Sequence, residues 1–425
     1  MAKQIKDYKS RLILDSRGFP TVRVELYLEN GQCVGANAPS GASTGTYEAL
    51  EIRDGGSSWK GKGVDKVLEN LKNVVIPEIL NIDPRDQEKI DKTLIQLDGT
   101  SQKSKFGANC LLPLSMAMCR AGAILENIEL FQWISSISNM KPSLPIPTMN
   151  VLNGGAHSNN NLDVQEFMVI PFLKEDFMGS LKAGVEIYHQ LKFLIKDKGM
   201  SIALGDEGGF APNLKNNTSA LDLLVEAVSG SKYNLGKEVF LGLDVASSEL
   251  FNNNMYSWEG SFIDSYRLTS IYENWIKKYP IVSIEDGIDE GDVDGWVYLN
   301  SKLGESINIV GDDLLVTQVE KIEMAIREKL CNTLLVKLNQ VGTVTETINA
   351  IKKVKSIGWD WSVSHRSGET EDDFISDLAV GTGSKYIKTG APARGERTSK
   401  YNRLISIFSD FKDLEFKNIE LKGRQ

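Results

Sequence analysis

Cysteine is scarce in this chain: four residues in 425, Cys33, Cys110, Cys119 and Cys331, with no C-x-x-C pair. That excludes a disulfide-stapled scaffold, and we read all four as reduced thiols of a cytoplasmic protein. Cys110 and Cys119 are nine residues apart, on opposite faces of any helix that carries both. Histidine is scarcer still, with only His157, His189 and His365. No apolar run reaches the roughly 18 residues of a membrane span, and the opening MAKQIKDYKSRLILDSRG has no apolar signal region. Positive charge is in deficit: 48 Lys and Arg against 57 Asp and Glu give a formal charge of −9, which disfavours nucleic acid and anionic membranes as partners. No low-complexity tract or strong repeat points to a solenoid.

What remains is a globular composition, 41% apolar, long enough for a large core and a second domain. Residues 11–38 read as a hairpin: TVRVELYLEN alternates like a half-buried strand and turns at Asn30-Gly31. Residues 64–138 read as helices. One of them, KFGANCLLPLSMAMCRAGAILE, should be distorted at Pro113 unless that proline sits in the first turn. KPSLPIPTMN holds three prolines and reads as a linker. The expected division is therefore 1–140 and 141–425.

The second part carries a ladder. VFLGLDVA, PIVSIEDG, INIVGDDL, TLLVKLNQ and WSVSHRSGE each run from apolar to charged, delivering Asp244, Glu285, Asp312, Lys337 and His365. KYIKTGAPAR adds Lys388, and the spacing is about 25 to 40 residues, room for one helix and two loops. Repeated strand–helix units of this kind make a parallel barrel whose strand ends share one mouth. Three acids converging there call for a cation, and oxygen donors suit Mg²⁺. The same acids could instead cap the helices that follow them. Lys337 at the end of a buried strand is costly unless paired; adjacent cations would lower its pKa and make it a base, or it could simply bridge the acids. Glu207 in GDEGGF and Glu166 in VQEFM are candidate acids, able to hold a proton near neutrality if paired and desolvated. Arg366 and Ser367 beside His365 suit phosphate, although Ser367 could also cap a helix with Glu369 nearby. NGGAHSNNN and GDEGGF read as mobile or tightly bent loops, SGASTG as a small loop able to fold over a ligand, and His189 in EIYHQLKFL as a packing residue.

Taken together, SGASTG, GAHSNNNLDVQEFM, LGDEGGFAPN, GLDVA, SIEDG, GDDL, KLNQVGT, SHRSGETED and IKTGAPARGERTSKYN resemble the enolase family from residue 13 to about residue 404. The resemblance implies an α/β fold: a small α+β N-terminal domain, then a modified eight-stranded barrel of TIM type whose first strands break the parallel pattern. It implies reversible dehydration of 2-phosphoglycerate to phosphoenolpyruvate with two Mg²⁺. By the same resemblance Asp244, Glu285 and Asp312 hold the first metal, and Ser43 helps bind the second as substrate arrives. Lys337 removes the C2 proton. Glu207 assists loss of the C3 hydroxide with Glu166 as partner, His157 lies on a closing loop, and His365 lines the site. Arg366 and Ser367 contact phosphate, with Lys388 and Gln165 as further substrate contacts. Enolase-superfamily sites are a known instance of a Lys or His base working beside Mg²⁺. Two features depart from the family. Arg23 and Ser406 stand where a Glu and an Arg usually pair between subunits, so a homodimer or larger homo-oligomer with an altered interface is expected. Phe19, Leu315 and Gln318 also depart, without removing a site residue.

Overall fold

The structure is a computed structural model that describes residues 4–41 and 45–416. The chain opens with three antiparallel strands, β1 (Ile5–Leu14), β2 (Pro20–Leu28) and β3 (Cys33–Asn37). The β2–β3 turn falls at Asn30-Gly31 as predicted, with Gly31 at φ +86°. The predicted hairpin, 11–38, is thus most of a three-stranded sheet whose first strand begins six residues earlier.

The helix Ala108–Leu125 packs across β2 and β3. It is long and apolar enough to cross a membrane, the only such helix among the described residues, but 83% of it is buried inside the fold. That explains its all-round hydrophobicity. Cys110 and Cys119 are both buried, because both faces of the helix are covered. Pro113 falls in the second turn, not the first, and the helix nevertheless runs on to Leu125. The rung forfeited by its missing N–H is offset by burial of Cys110, Leu111, Leu112 and Leu114 around it.

Half of the expected linker is strand: β4 (Ile146–Asn153) begins inside it, and Pro147 is accommodated within that strand. Then come β5 (Glu166–Pro171) and β6 (Val239–Asp244), and a small hairpin sheet of β7 (Phe251–Asn252), β8 (Met255–Trp258) and β9 (Ser261–Ile263). The chain continues with β10 (Ile281–Glu285), β11 (Asn308–Gly311), β12 (Thr333–Val336), β13 (Asp360–Ser364) and β14 (Tyr386–Lys388). Eight of these close into a barrel in the order β10-β11-β12-β13-β14-β4-β5-β6. β4, β5 and β6 are buried along their whole length, the pattern of strands covered on both faces. All neighbours are parallel except β5, which runs antiparallel to both β4 and β6. The C-terminal ends of seven strands and the N-terminal end of β5 therefore face one mouth.

The N-terminal sheet docks on the loop after β13. Ser40 and Gly368 exchange backbone hydrogen bonds at 2.7 and 2.9 Å. A Cβ on Gly368 would meet Arg17 Nη2 at 2.3 Å and Ser40 O at 2.6 Å, so this contact requires glycine. Arg120 then donates to both Asp372 oxygens, 2.8 and 2.9 Å. Arg23 is committed within its own sheet, donating to Glu25 at 2.9 Å and Asn37 at 2.8 Å. Ser406 is exposed on the helix Gly395–Asp410. His189 does not pack inward as predicted. It sits on the solvent side of the helix Phe177–Asp197, and the inward position is taken by Tyr188, stacked on Phe210.

Candidate active site

Strand register sets the site. Glu166 pairs with Asp244 across β5–β6, and Asp244 with Glu285 across β6–β10. Asp312 follows the end of β11 on the next strand. Four adjacent strands thus deliver four carboxylates at one level. Lys337 follows β12, His365 follows β13, and Lys388 ends β14 opposite Ser364. The cleft above them is lined by His157, Gln165, Glu166, Glu207, Asp312, Lys337, His365, Arg366, Ser367 and Lys388 among others. Glu285 faces the layer just below, where it and Lys388 share a second, inner cavity. Ser43 lies outside the described residues.

Lys388 Nζ is gripped by Glu285 at 2.7 Å, Asp244 at 2.8 Å and Glu166 at 3.0 Å. Three buried carboxylates cannot all be stabilised by one ammonium. Burial raises all three, and Lys388 pulls Asp244 below its usual range while Glu285 stays well above. Gln165 Nε2 leans on Asp244 at 3.4 Å. Burial pulls Lys388 itself down, but the three carboxylates outweigh it and hold the ammonium firmly protonated.

On the next strands Lys337 pairs with Asp312. Burial is the largest single influence and lowers the Lys337 pKa, but its acidic neighbours, Asp312 first and Asp313 with it, together outweigh it, so the net shift is upward, opposite to the sequence expectation. The reason is the partner: the nearest charge is a carboxylate, not a cation. Asp312 also accepts from Gln340 Nε2 at 2.7 Å. Asp286, at φ +41°, accepts the backbone N–H groups of Asp312 and Asp313, both at 2.9 Å. Asp286, Asp312 and Asp313 offer oxygens within 4.8 Å of one another, and burial beside Asp312 pushes Asp313 up to about 8.

The opposite wall is the Glu166–Glu207 pair with two histidines. His157 Nδ1 and His365 Nε2 lie 3.6 and 3.5 Å from Glu207 Oε1, and Asn150 donates to Oε2 at 3.0 Å. Burial raises both glutamates. His157 and His365 then pull Glu207 well below the usual range, leaving Glu166 the member raised well above it. The expected shared proton is therefore placed on Glu166. Burial lowers His157, but Glu207, with Asp244 and Asp206 behind it, outweighs it and the net shift is upward. His365 stays well below its ordinary value, through burial and the adjacent Arg397. Arg397 Nη1 lies 2.8 Å from His365 Nδ1; since a guanidinium only donates, Nδ1 accepts and the ring proton sits on Nε2, facing Glu207. Gly390 keeps this corner open, since a Cβ there would meet Glu207 O at 2.7 Å and His365 Cε1 at 2.9 Å.

Arg366 and Ser367 line the same cleft on a loop; the next helix begins only at Phe374, so Ser367 is not a helix cap. Capping accounts for Asp244 only in part: its carboxylate accepts from Ala246 N–H at 3.1 Å, but Glu285 grips Lys388 instead.

Two family comparisons cover nearly the whole chain: the enolase N-terminal domain matches residues 5–134, and the enolase C-terminal TIM barrel domain matches residues 141–418. The chain belongs to the enolase family. An enolase-family barrel is a metal-dependent one, and the donor set here fits. The oxygen donors are hard and buried, carboxylates outnumber ammonium and guanidinium groups, and Glu285, Asp286 and Asp313 are all forced upward, mainly by burial and then by neighbouring acids. The strand-end acids and the Asp286–Asp312–Asp313 group can hold a divalent cation. Asp286, Asp313, Asn150, Arg397 and Gln340 escaped the sequence reading. For Asp286 and Asp313 a signal was present: each is the second acid of a strand-end pair, in SIEDG and GDDL.

Proposed function

We propose that this enzyme is a phosphopyruvate hydratase, a lyase that reversibly dehydrates 2-phosphoglycerate to phosphoenolpyruvate with two Mg²⁺. The observation that carries the reading is the opposition of Lys337–Asp312 to the Glu166–Glu207 pair across one cleft that also holds Arg366 and Ser367. A β-hydroxy acid phosphorylated at C2 needs a base at C2, an acid at C3 and cationic groups at its phosphate. The cleft offers these three in separate places.

In this reading Lys337 takes the C2 proton. Its pairing with Asp312 keeps the amine in place between turnovers. Glu207, with Glu166 holding the pair's proton, assists departure of hydroxide from C3. His365, fixed as its Nε2–H tautomer, and His157 orient Glu207 from the other side. Arg366 and Ser367 receive the phosphate, and Lys388 and Gln165 complete the carboxylate end. Asp244, Glu285, Asp312 and, outside the described residues, Ser43 would hold the metal ions. Divalent ions on the substrate carboxylate would supply the electrostatic stabilisation that makes a poor carbon acid reactive, a demand a base worth roughly 10²–10⁴-fold cannot meet alone.

The test is a Mg²⁺-dependent rise in ultraviolet absorbance as 2-phosphoglycerate becomes phosphoenolpyruvate. We expect the rise with Mg²⁺ and none with chelator. An inert protein, or one active only on another phosphorylated or phosphonate hydroxy acid, would replace this reading with that of a paralogue.

A further inference from the structure

Glu48 lies outside the strand-end ladder, on a turn of the N-terminal region, yet its side chain is almost wholly buried against the cleft. Both ends of its carboxylate receive Arg366: Nη1 at 2.9 Å and Nη2 at 3.2 Å. Asn339 Oδ1 takes Nη1 as well, at 3.1 Å. Gln340 Nε2 donates to Glu48 at 3.3 Å and, with the same nitrogen, to Asp312 at 2.7 Å. The turn is tied to the barrel by Ala49 N–H on Gln340 O at 2.8 Å and by Gln318 Nε2 on Tyr47 O at 2.7 Å.

A buried carboxylate next to an anion-binding guanidinium should repel the anion. Its presence makes sense when geometry outweighs charge. A two-point carboxylate–guanidinium contact fixes the plane of the guanidinium as well as its position. A long arginine side chain fixed in advance loses less freedom when a ligand arrives. The Gln340 bridge then sets that plane relative to Asp312, the partner of Lys337.

We propose that Glu48 is a positioning residue that holds the Arg366 guanidinium ready for a phosphomonoester and keeps it in register with Asp312 through Gln340. The inference rests on the phosphate role of Arg366 argued above. Its test is calorimetric titration of the full chain with inorganic phosphate in the presence of chelator, together with steady-state kinetics on 2-phosphoglycerate. Arg366→Met should weaken phosphate binding. Glu48→Ala should weaken it too, by about tenfold, and raise KM more than it lowers kcat. Glu48→Asp keeps the charge but shortens the reach, and it perturbs folding least. It should also weaken binding. The double variant Glu48→Ala with Arg366→Met should bind no worse than Arg366→Met alone. Unchanged or tighter binding by Glu48→Ala and Glu48→Asp would make Glu48 only a repelling charge and overturn the proposal. Additive losses in the double variant would do the same. If Arg366→Met itself binds phosphate like the parent, the phosphate role of Arg366 falls, and this inference falls with it.

Discussion

The two walls of the cleft are built differently. Around Glu207, most groups come from one stretch of chain: Asn150, His157, Gln165, Glu166 and Glu207 itself. Around Lys337 they come from distant strand ends and from the N-terminal region: Asp286, Asp312, Gln340, Arg366 and Glu48. The first wall is a proton-sharing set, in which two histidines decide which glutamate keeps the proton. The second is a set of ion pairs, in which each cation has a fixed acid. A reaction that removes a proton on one side and delivers one on the other is served by this division, because neither wall titrates the other's groups directly.

The strongest way to break that comparison is to remove one group from each wall. Lys337→Ala should abolish exchange of the C2 proton with solvent and lower kcat by roughly 10²–10⁴-fold. Glu207→Gln should slow dehydration while leaving C2 exchange measurable by isotope incorporation. Equal loss of exchange in both would mean that the walls act as one.

A smaller effect is expected where the walls meet. Lys388 is the shared cation of Asp244, Glu285 and Glu166. Lys388→Met leaves three buried carboxylates without it, which should cost about 3–5 kcal/mol in urea unfolding with chelator present. Mg²⁺ should restore part of the loss in the variant. A variant as stable as the parent under chelation would show that these acids do not depend on Lys388.

The smallest effect is a pH slope. Asp313 is pushed up to about 8, whereas in the unfolded chain it titrates near its ordinary value of about 4. Between those values the native state keeps a proton that the unfolded state has lost. Stability should therefore fall as pH rises through that window. Asp313 keeps some contact with solvent, so the contribution is expected at about 1–2 kcal/mol. Asp313→Asn, unfolded at pH 5 and pH 8 with chelator present, should flatten the slope. An unaltered slope would assign the loss of stability with rising pH to other groups.

Six of the seven parallel strand ends were legible because each is a short apolar run closed by a charge, and burial on both faces demands such runs; β4 was not, because its prolines read as a linker and it ends in Asn153. The reversal of β5 was not legible from its residues: VQEFMVIP is as apolar as its neighbours, and hydrophobicity carries no strand direction. The family likeness alone carried that expectation. Glu48, Gln340 and Arg397 escaped because each sits in an unremarkable local context, and its partner lies tens to hundreds of residues away. His189 misled because an amphipathic pattern identifies a face but not which of two adjacent residues, Tyr188 or His189, turns inward. The expected lowering of Lys337 failed because the sequence shows which charges converge but not which pair first.

The reversed strand also bears on how the barrel assembles. β4, β5 and β6 are sequential antiparallel neighbours, and only the short segment from Gly154 to Gln165 separates β4 from β5. The seam on the other flank of β4 joins Thr148 to Ile387, 239 residues apart, through a 3.0 Å hydrogen bond. Closing a loop of that length costs more chain entropy than closing the β4–β5 turn, and contacts of that range form late. The β4–β5 ribbon is thus placed to form early and the β14–β4 seam late. The Asn150 and Glu166 side of the wall around Glu207 is then drafted before the barrel closes.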